Sequence, residues 1–247
     1  MKLGKLAARK NSVEFRLRDY LAVSTLPSPP TKTGHQNVSI PWGMLGNDSY
    51  GDCVLAGAGH ETMFWNREAG KTVNITTADA LSDYTAITGF NPNDPNTDQG
   101  TDMQVAASYR RKTGIEDSVR TRHKVAAYLA ITPGNKLEMK QAIYLFDAVG
   151  IGIQFPKSAM DQFNAGKPWS VVASSPIEGG HYIPAIGYDS KYVYIVTWGK
   201  VQKMTWSFFT RYCDEAIAYL SQEFLTGGKS PEGFDSATLN ADLAKLK

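Results

Sequence analysis

Cysteine is scarce in this chain: Cys53 and Cys213 are the only two among 247 residues. A framework of several disulfides is therefore excluded, and the fold must be held by packing. An excess of one charge is also lacking, with 26 Lys and Arg against 24 Asp and Glu. Nothing in that balance calls for a nucleic-acid or membrane partner. No window approaches the roughly 20 apolar residues of a membrane span. The first ten residues are basic but lack the apolar stretch and cleavage site of an export signal, which gives the expectation of a cytoplasmic or otherwise non-secreted protein. Two unbridged cysteines fit the same reducing setting. What is present is an ordinary globular composition, 42% hydrophobic and 20% charged, in a chain long enough for one large domain or two small lobes.

Four stretches are expected. Residues 1–40 read as an extended arm, because the run Pro27-Ser28-Pro29-Pro30 resists helix. Such an arm is an ordinary extension, a strap over the body, a propeptide-like segment or a contact for a protein assembly partner. Its cations, Lys2, Lys5, Arg9, Lys10, Arg16 and Arg18, are expected on a solvated face. Residues 41–124 read as a helical lobe. A first helix runs from Cys53 to about Trp65, a second is capped by Thr77 and closed by Gly89, and a third covers Met103 to Arg111. Residues 125–225 read as strand-rich. Strands are expected at 125–131 and 150–155, a helix between them at 137–149, and a hairpin of the His181 strand with 192–198 across Asp189-Ser190-Lys191. A return helix is expected over 215–225, and 226–247 as a polar tail with an amphipathic stretch at 239–246. Helices first and strands second give an α+β chain of two lobes with a cleft between them. The loop from Asn91 to Asp102 is rich in oxygen donors but does not scan as an EF-hand, since Gly100 falls one place late after Asp94, Asn96 and Asp98. It reads as turn-rich, with no metal assigned.

The stretch Asn47-Asp48-Ser49-Tyr50-Gly51-Asp52-Cys53-Val54-Leu55-Ala56-Gly57-Ala58-Gly59-His60-Glu61 carries most of the chemistry. A turn-forming run ends at Asp52 and a helical pattern starts at Cys53. A cysteine on the first turn sits at the positive end of the helix, where free N–H groups favour the thiolate, the nucleophilic form. Asp52 beside it is expected to cap the helix, and His60, two turns farther on, to be structural. The downstream stretch Gly179-Gly180-His181-Tyr182-Ile183-Pro184 sets a lone histidine at the head of a strand, suited to act as a base.

Cys53 and His181, in this order and 128 residues apart, resemble the nucleophile and base of the papain-like cysteine peptidases, whose separation is roughly 130. Two further features belong to the resemblance. Asn47 stands six residues before the cysteine, where the family has an oxyanion-hole Gln, and Tyr192-Val193-Tyr194-Ile195-Val196-Thr197-Trp198-Gly199 follows the family's strand and Trp-Gly pair. The resemblance covers most of residues 41–210. It implies a papain-like fold, a helical lobe with a central helix facing a strand-rich antiparallel lobe. It also implies a thiol hydrolase, a cysteine peptidase acting on a peptide or protein substrate, with no cofactor. Amidase and acyltransferase chemistry are alternatives within that class. Cys53 would be the nucleophile and His181 the base, with side chains about 3 to 4 Å apart, and Asn47 would hold the oxyanion. The chain departs from the family at Tyr50-Gly51-Asp52-Cys53-Val54, which lacks the neighbouring half-cystine, and at Val196, which fills the place of the orienting Asn. That leaves Thr197, a carbonyl or water to orient the imidazole. These departures point to the other reading, a catalytically weak or inactive papain-like body used for binding or as a structural component. Cys213 is expected to be unpaired and away from the site.

Overall fold

The computed structural model describes residues 1–9, 13, 15–21, 28–34, 37–224 and 237. The amphipathic stretch expected at 239–246 lies outside them. Three helices come first: α1 (Cys53–Glu68), α2 (Thr77–Thr88) and α3 (Met103–Lys112). Asp102 caps α3 by accepting from Gln104 and Val105 N–H. The cap of α2 is Thr76 rather than Thr77: its hydroxyl and the Asp79 carboxylate form a reciprocal box, and Gly89 closes the helix in the left-handed conformation.

The second half is built on one antiparallel sheet. A short strand β1 (Thr33–Gly34) comes from the arm. The small ribbon β2 (Ile115–Glu116) and β3 (Arg122–His123) precedes the main strands β4 (Val125–Ile131), β5 (Val149–Pro156), β6 (Ile177–Tyr188), β7 (Tyr192–Thr197), β8 (Lys200–Thr205) and β9 (Cys213–Ser221). Their order is β4-β9-β5-β6-β7-β8, with β1 on β6. Helices α4 (Lys136–Phe146), α5 (Lys157–Asn164) and α6 (Trp206–Tyr212) connect them. The expected hairpin is present as β6 and β7. The expected return helix over 215–225 is wrong: Cys213 to Ser221 is β9, a strand between β4 and β5.

Side chains of successive strand residues face opposite ways, and the sheet uses both faces. Ile183, Ala185, Ala216, Ala218 and Leu220 join the core beneath α4, α5 and α6. Tyr182, Ile186, Ile217 and Tyr219 join the core beneath α1 and α3. A segment buried on both sides loses its alternation, which explains how the apolar run in β9 imitates a helix. The architecture is α+β and two-lobed, with the helical part seated on one face of the sheet. Among the described residues no helix is long and apolar enough to cross a membrane.

The seat of α1 on β6 is close because Gly57 leaves space. A Cβ there would run into the Tyr182 ring. Tyr182 donates its hydroxyl to Glu61 at 2.9 Å. Glu61 in turn pairs with Arg110 of α3 at 2.6 Å, and the guanidinium lies 3.8 Å from the centre of the Tyr219 ring. All four groups are buried, so α1, α3, β6 and β9 meet at one charged pair. Replacing one member would leave an unpaired buried charge, which costs about 3 to 5 kcal/mol. Arg110→Ala is expected to lower stability by about that amount in urea denaturation, and the double variant Glu61→Gln/Arg110→Met to recover most of it.

Candidate active site

Cys53 is the first residue of α1, so its backbone N–H has no acceptor within the helix. The preceding turn is held from outside. The Gly51 N–H donates to both carboxylate oxygens of Asp98, at 2.9 and 3.1 Å, and Tyr84 donates to the same carboxylate at 2.8 Å. The oxygen-rich loop therefore clamps the turn that precedes Cys53. Its Asp94 accepts from the Asn96 backbone, and no group of three or more metal-binding side chains is found among the described residues. Asp52 does not cap α1. Its carboxyl group is fully buried and both oxygens lack hydrogen bonds. Burial pushes its pKa well up.

His181 lies on β6, opposite Ile153 of β5. Its ring stacks on Trp198 with centroids 4.5 Å apart, and Phe155 meets it edge-on. The His181 Nε2 is 2.8 Å from the Thr197 hydroxyl. Thr197 therefore stands where the imidazole needs an orienting partner, at the end of β7. Val196 beside it packs into the core beneath α1. The other ring nitrogen, Nδ1, has no hydrogen-bond partner.

Asn47, Cys53, His181 and Thr197 line one cavity of about 10 Å³, with Val196 and Trp198. The four candidate residues are thus brought together, in a space of about one water molecule. The expected hydrogen bond between Cys53 and His181 is not formed, since Nδ1 is unpartnered. Asn47 donates to Tyr50 O at 3.0 Å. His60, although on the cavity wall, contacts the Trp42 and Gly43 carbonyl oxygens through Nε2, as a structural residue would. Both reactive groups are neutral in this buried state. Burial pushes the Cys53 thiol up to about 12, against the backbone N–H groups of Tyr182 and Gly4, and lowers His181 to about 3. Cys213 is free. It pairs in register with Ile153, which pairs with His181, so two strand spacings, about 10 Å, separate their backbones.

Residues 2–6 run beside this cavity. Lys2 N–H donates to Asn47 O at 2.9 Å, Lys5 N–H to Gly180 O at 3.0 Å and Leu6 N–H to Thr101 O at 3.0 Å, while Thr101 N–H donates to Gly4 O at 2.7 Å. Lys5 runs parallel to Thr101, and Arg9 pairs with Asp102. Residues 2–6 therefore lie along the cleft as an extra strand, with Gly4 against Gly51. The expectation that all the arm's cations are solvated fails at Lys5, which is 5% exposed. Of the alternatives expected for the arm, residues 2–6 form a strap over the body, and its place was not legible because its partners, Thr101 and Gly180, are about 100 and 175 residues away and bond through backbone atoms.

No protein-family model and no curated protein matches the chain. Solved structures do. Xylellain, a cysteine protease from Xylella fastidiosa, superposes with a TM-score of 0.67 at 12% identity, over 88% of this chain and 95% of that one. Procathepsin B S9 from Trypanosoma congolense gives 0.64 at 10% identity, over 90% and 86%. The Carica candamarcensis cysteine protease CMS1MS2, solved in complex with E-64, gives 0.58 at 14% identity, over 77% and 98%. At these identities the likeness concerns the fold alone. The chain has the fold of the papain-like cysteine proteases, in a divergent form.

Proposed function

We propose that the chain is a papain-like thiol hydrolase that cleaves peptide bonds through Cys53 and His181 and is folded here in a latent state. The observation that carries this reading is the shared cavity: a cysteine at a helix N-terminus, a histidine with one nitrogen bonded and the other bare, and a side-chain amide, with a backbone strap beside them. With its proton on Nε2, His181 donates to Thr197 Oγ1 and keeps Nδ1 as a base. Once residues 2–6 leave, water and an extended peptide enter and the desolvation that holds both groups neutral is relieved. His181 takes the Cys53 proton, and the thiolate adds to the peptide carbonyl. The oxyanion is then held by the Cys53 N–H and the Asn47 amide. Collapse expels the amine, which takes the proton from His181. Water, deprotonated by the same imidazole, releases the acyl group as a carboxylic acid and restores the thiol.

A second reading, a non-catalytic papain-like body used for binding or within a larger assembly, draws support from the missing thiol–imidazole hydrogen bond and the filled cleft. Under either reading, two free cysteines suit a reducing compartment.

Release of the strap separates the two readings. A Cβ at residue 4 would overlap the Gly51 carbonyl, so Gly4→Ala should displace the strap, with Leu3 the one strap side chain drawn off the core beneath α4, α5 and α6. Iodoacetamide at pH 7 should then alkylate Cys53 roughly tenfold faster or more, as the thiol's pKa falls from about 12. Peptide mapping by mass spectrometry identifies the labelled residue, and an unchanged rate would favour the non-catalytic reading. In the same background, Thr197→Val should lower kcat on a quenched peptide by roughly 10²- to 10⁴-fold with little change in KM, because it removes orientation and not binding. Equal kcat in the two proteins would remove Thr197 from the mechanism.

A further inference from the structure

Lys5 is the only strap residue whose charged end is buried in a pocket of opposite sign. Its side chain is 1% exposed, and Nζ lies 3.1 Å from Asp214. The same ammonium donates to Leu6 O at 3.0 Å and lies 4.0 Å from Glu215. The aliphatic stem runs over Gly152, where a Cβ would collide with it, and past Met103. Glu215 is held in place by Gln104, which donates to it at 2.8 Å. Buried lysines need this much compensation because moving an ammonium out of water costs several kcal/mol. The pocket supplies a carboxylate and a groove with no side chain in its floor, and the strap adds its own Leu6 carbonyl.

The position of this pocket matters as much as its charge. Lys5 hangs from the backbone bonds to Gly180, the residue before His181, and to Thr101. Its neighbour Gly4 is the residue whose N–H faces the Cys53 sulfur. A peptide taking the strap's place on the same two backbone edges therefore sets one residue over the thiol and the adjacent side chain into the hole that Lys5 vacates. Without Lys5 that hole would leave the Asp214 carboxylate, 19% exposed, without its ion-pair partner.

We infer that Asp214 sets the specificity of the cleft and selects peptides with a lysine or arginine next to the residue that lies over Cys53. The inference deepens the hydrolase reading and rests on it. Lys5 is then a stand-in for the substrate side chain, held in the chain's own pocket.

The test uses the full-length chain with Lys5→Ala, which empties the pocket, or Gly4→Ala should that variant fail to fold. Quenched peptides carry a central glycine flanked on one side or the other by Lys, Arg, norleucine or Glu. Norleucine keeps the stem of lysine and loses its charge. In one placement the Lys and Arg peptides should exceed norleucine in kcat/KM by roughly 10- to 100-fold, as expected for one charge-assisted contact, and Glu should be the poorest. Adding Asp214→Asn should shrink the advantage of Lys and Arg to about twofold. Cleavage with norleucine equal to or better than lysine, or a ranking unmoved by Asp214→Asn, overturns the pocket assignment and leaves the hydrolase reading standing. No cleavage of any peptide, together with no gain in Cys53 alkylation, defeats the hydrolase reading and the inference with it.

Discussion

The contact of α1 with β6 is the constraint on which the rest of the structure depends. Helix and strand each carry one reactive candidate at or near an end, Cys53 and His181, so their relative position is the geometry of the site. Gly57 permits the close approach and the Tyr182 ring fills it. The Tyr182 hydroxyl, bonded to Glu61, fixes the rotation of the helix against the sheet. Hydrophobic burial alone is non-directional and would tolerate sliding. A buried pair such as Glu61 with Arg110 tolerates far less, because each misplacement exposes an uncompensated charge.

The same dryness that fixes the helix also quiets the chemistry. A thiol pushed to about 12 and an imidazole lowered to about 3 share a cavity without exchanging a proton, since neither ion is tolerated there. The helix N-terminus favours a thiolate, but desolvation outweighs it while the strap is in place. Access of water is therefore the variable that separates a buried cysteine from a nucleophile. Asp52 beside the sulfur acts in the same sense as burial, its charge raising the thiol further.

Much of the site was legible because its signals are local or come at a fixed spacing. A turn run ending at Cys53, an amide six residues earlier, and a strand reaching Thr197 beside a Trp-Gly pair are patterns in single stretches of chain. The division into helices and then an antiparallel sheet was legible for the same reason. Three features were not. The β9 strand is buried on both faces and shows no alternation. Asp52 has the residue type and position of a cap, but its side chain is drawn into the interior. Lys5 has the signature of a solvated lysine, and only Asp214, 209 residues away, reveals that it is buried. Long-range electrostatic pairing leaves no period in the sequence, so it becomes visible only when the fold brings the partners together.

The strap is held largely by main-chain hydrogen bonds to Asn47, Thr101 and Gly180, groups that any extended peptide can use equally well. What distinguishes the strap from such a peptide is its covalent tether, together with the Lys5–Asp214 pair. A tethered segment competes at an effective concentration on the order of millimolar, whatever the dilution of the protein. A free peptide must therefore exceed that local supply or bind more tightly per residue. The cleft would behave as a threshold filter, nearly silent toward scarce or weakly fitting chains and responsive to abundant ones. Loosening residues 2–6 would lower that threshold while leaving the side chains of the cavity in place.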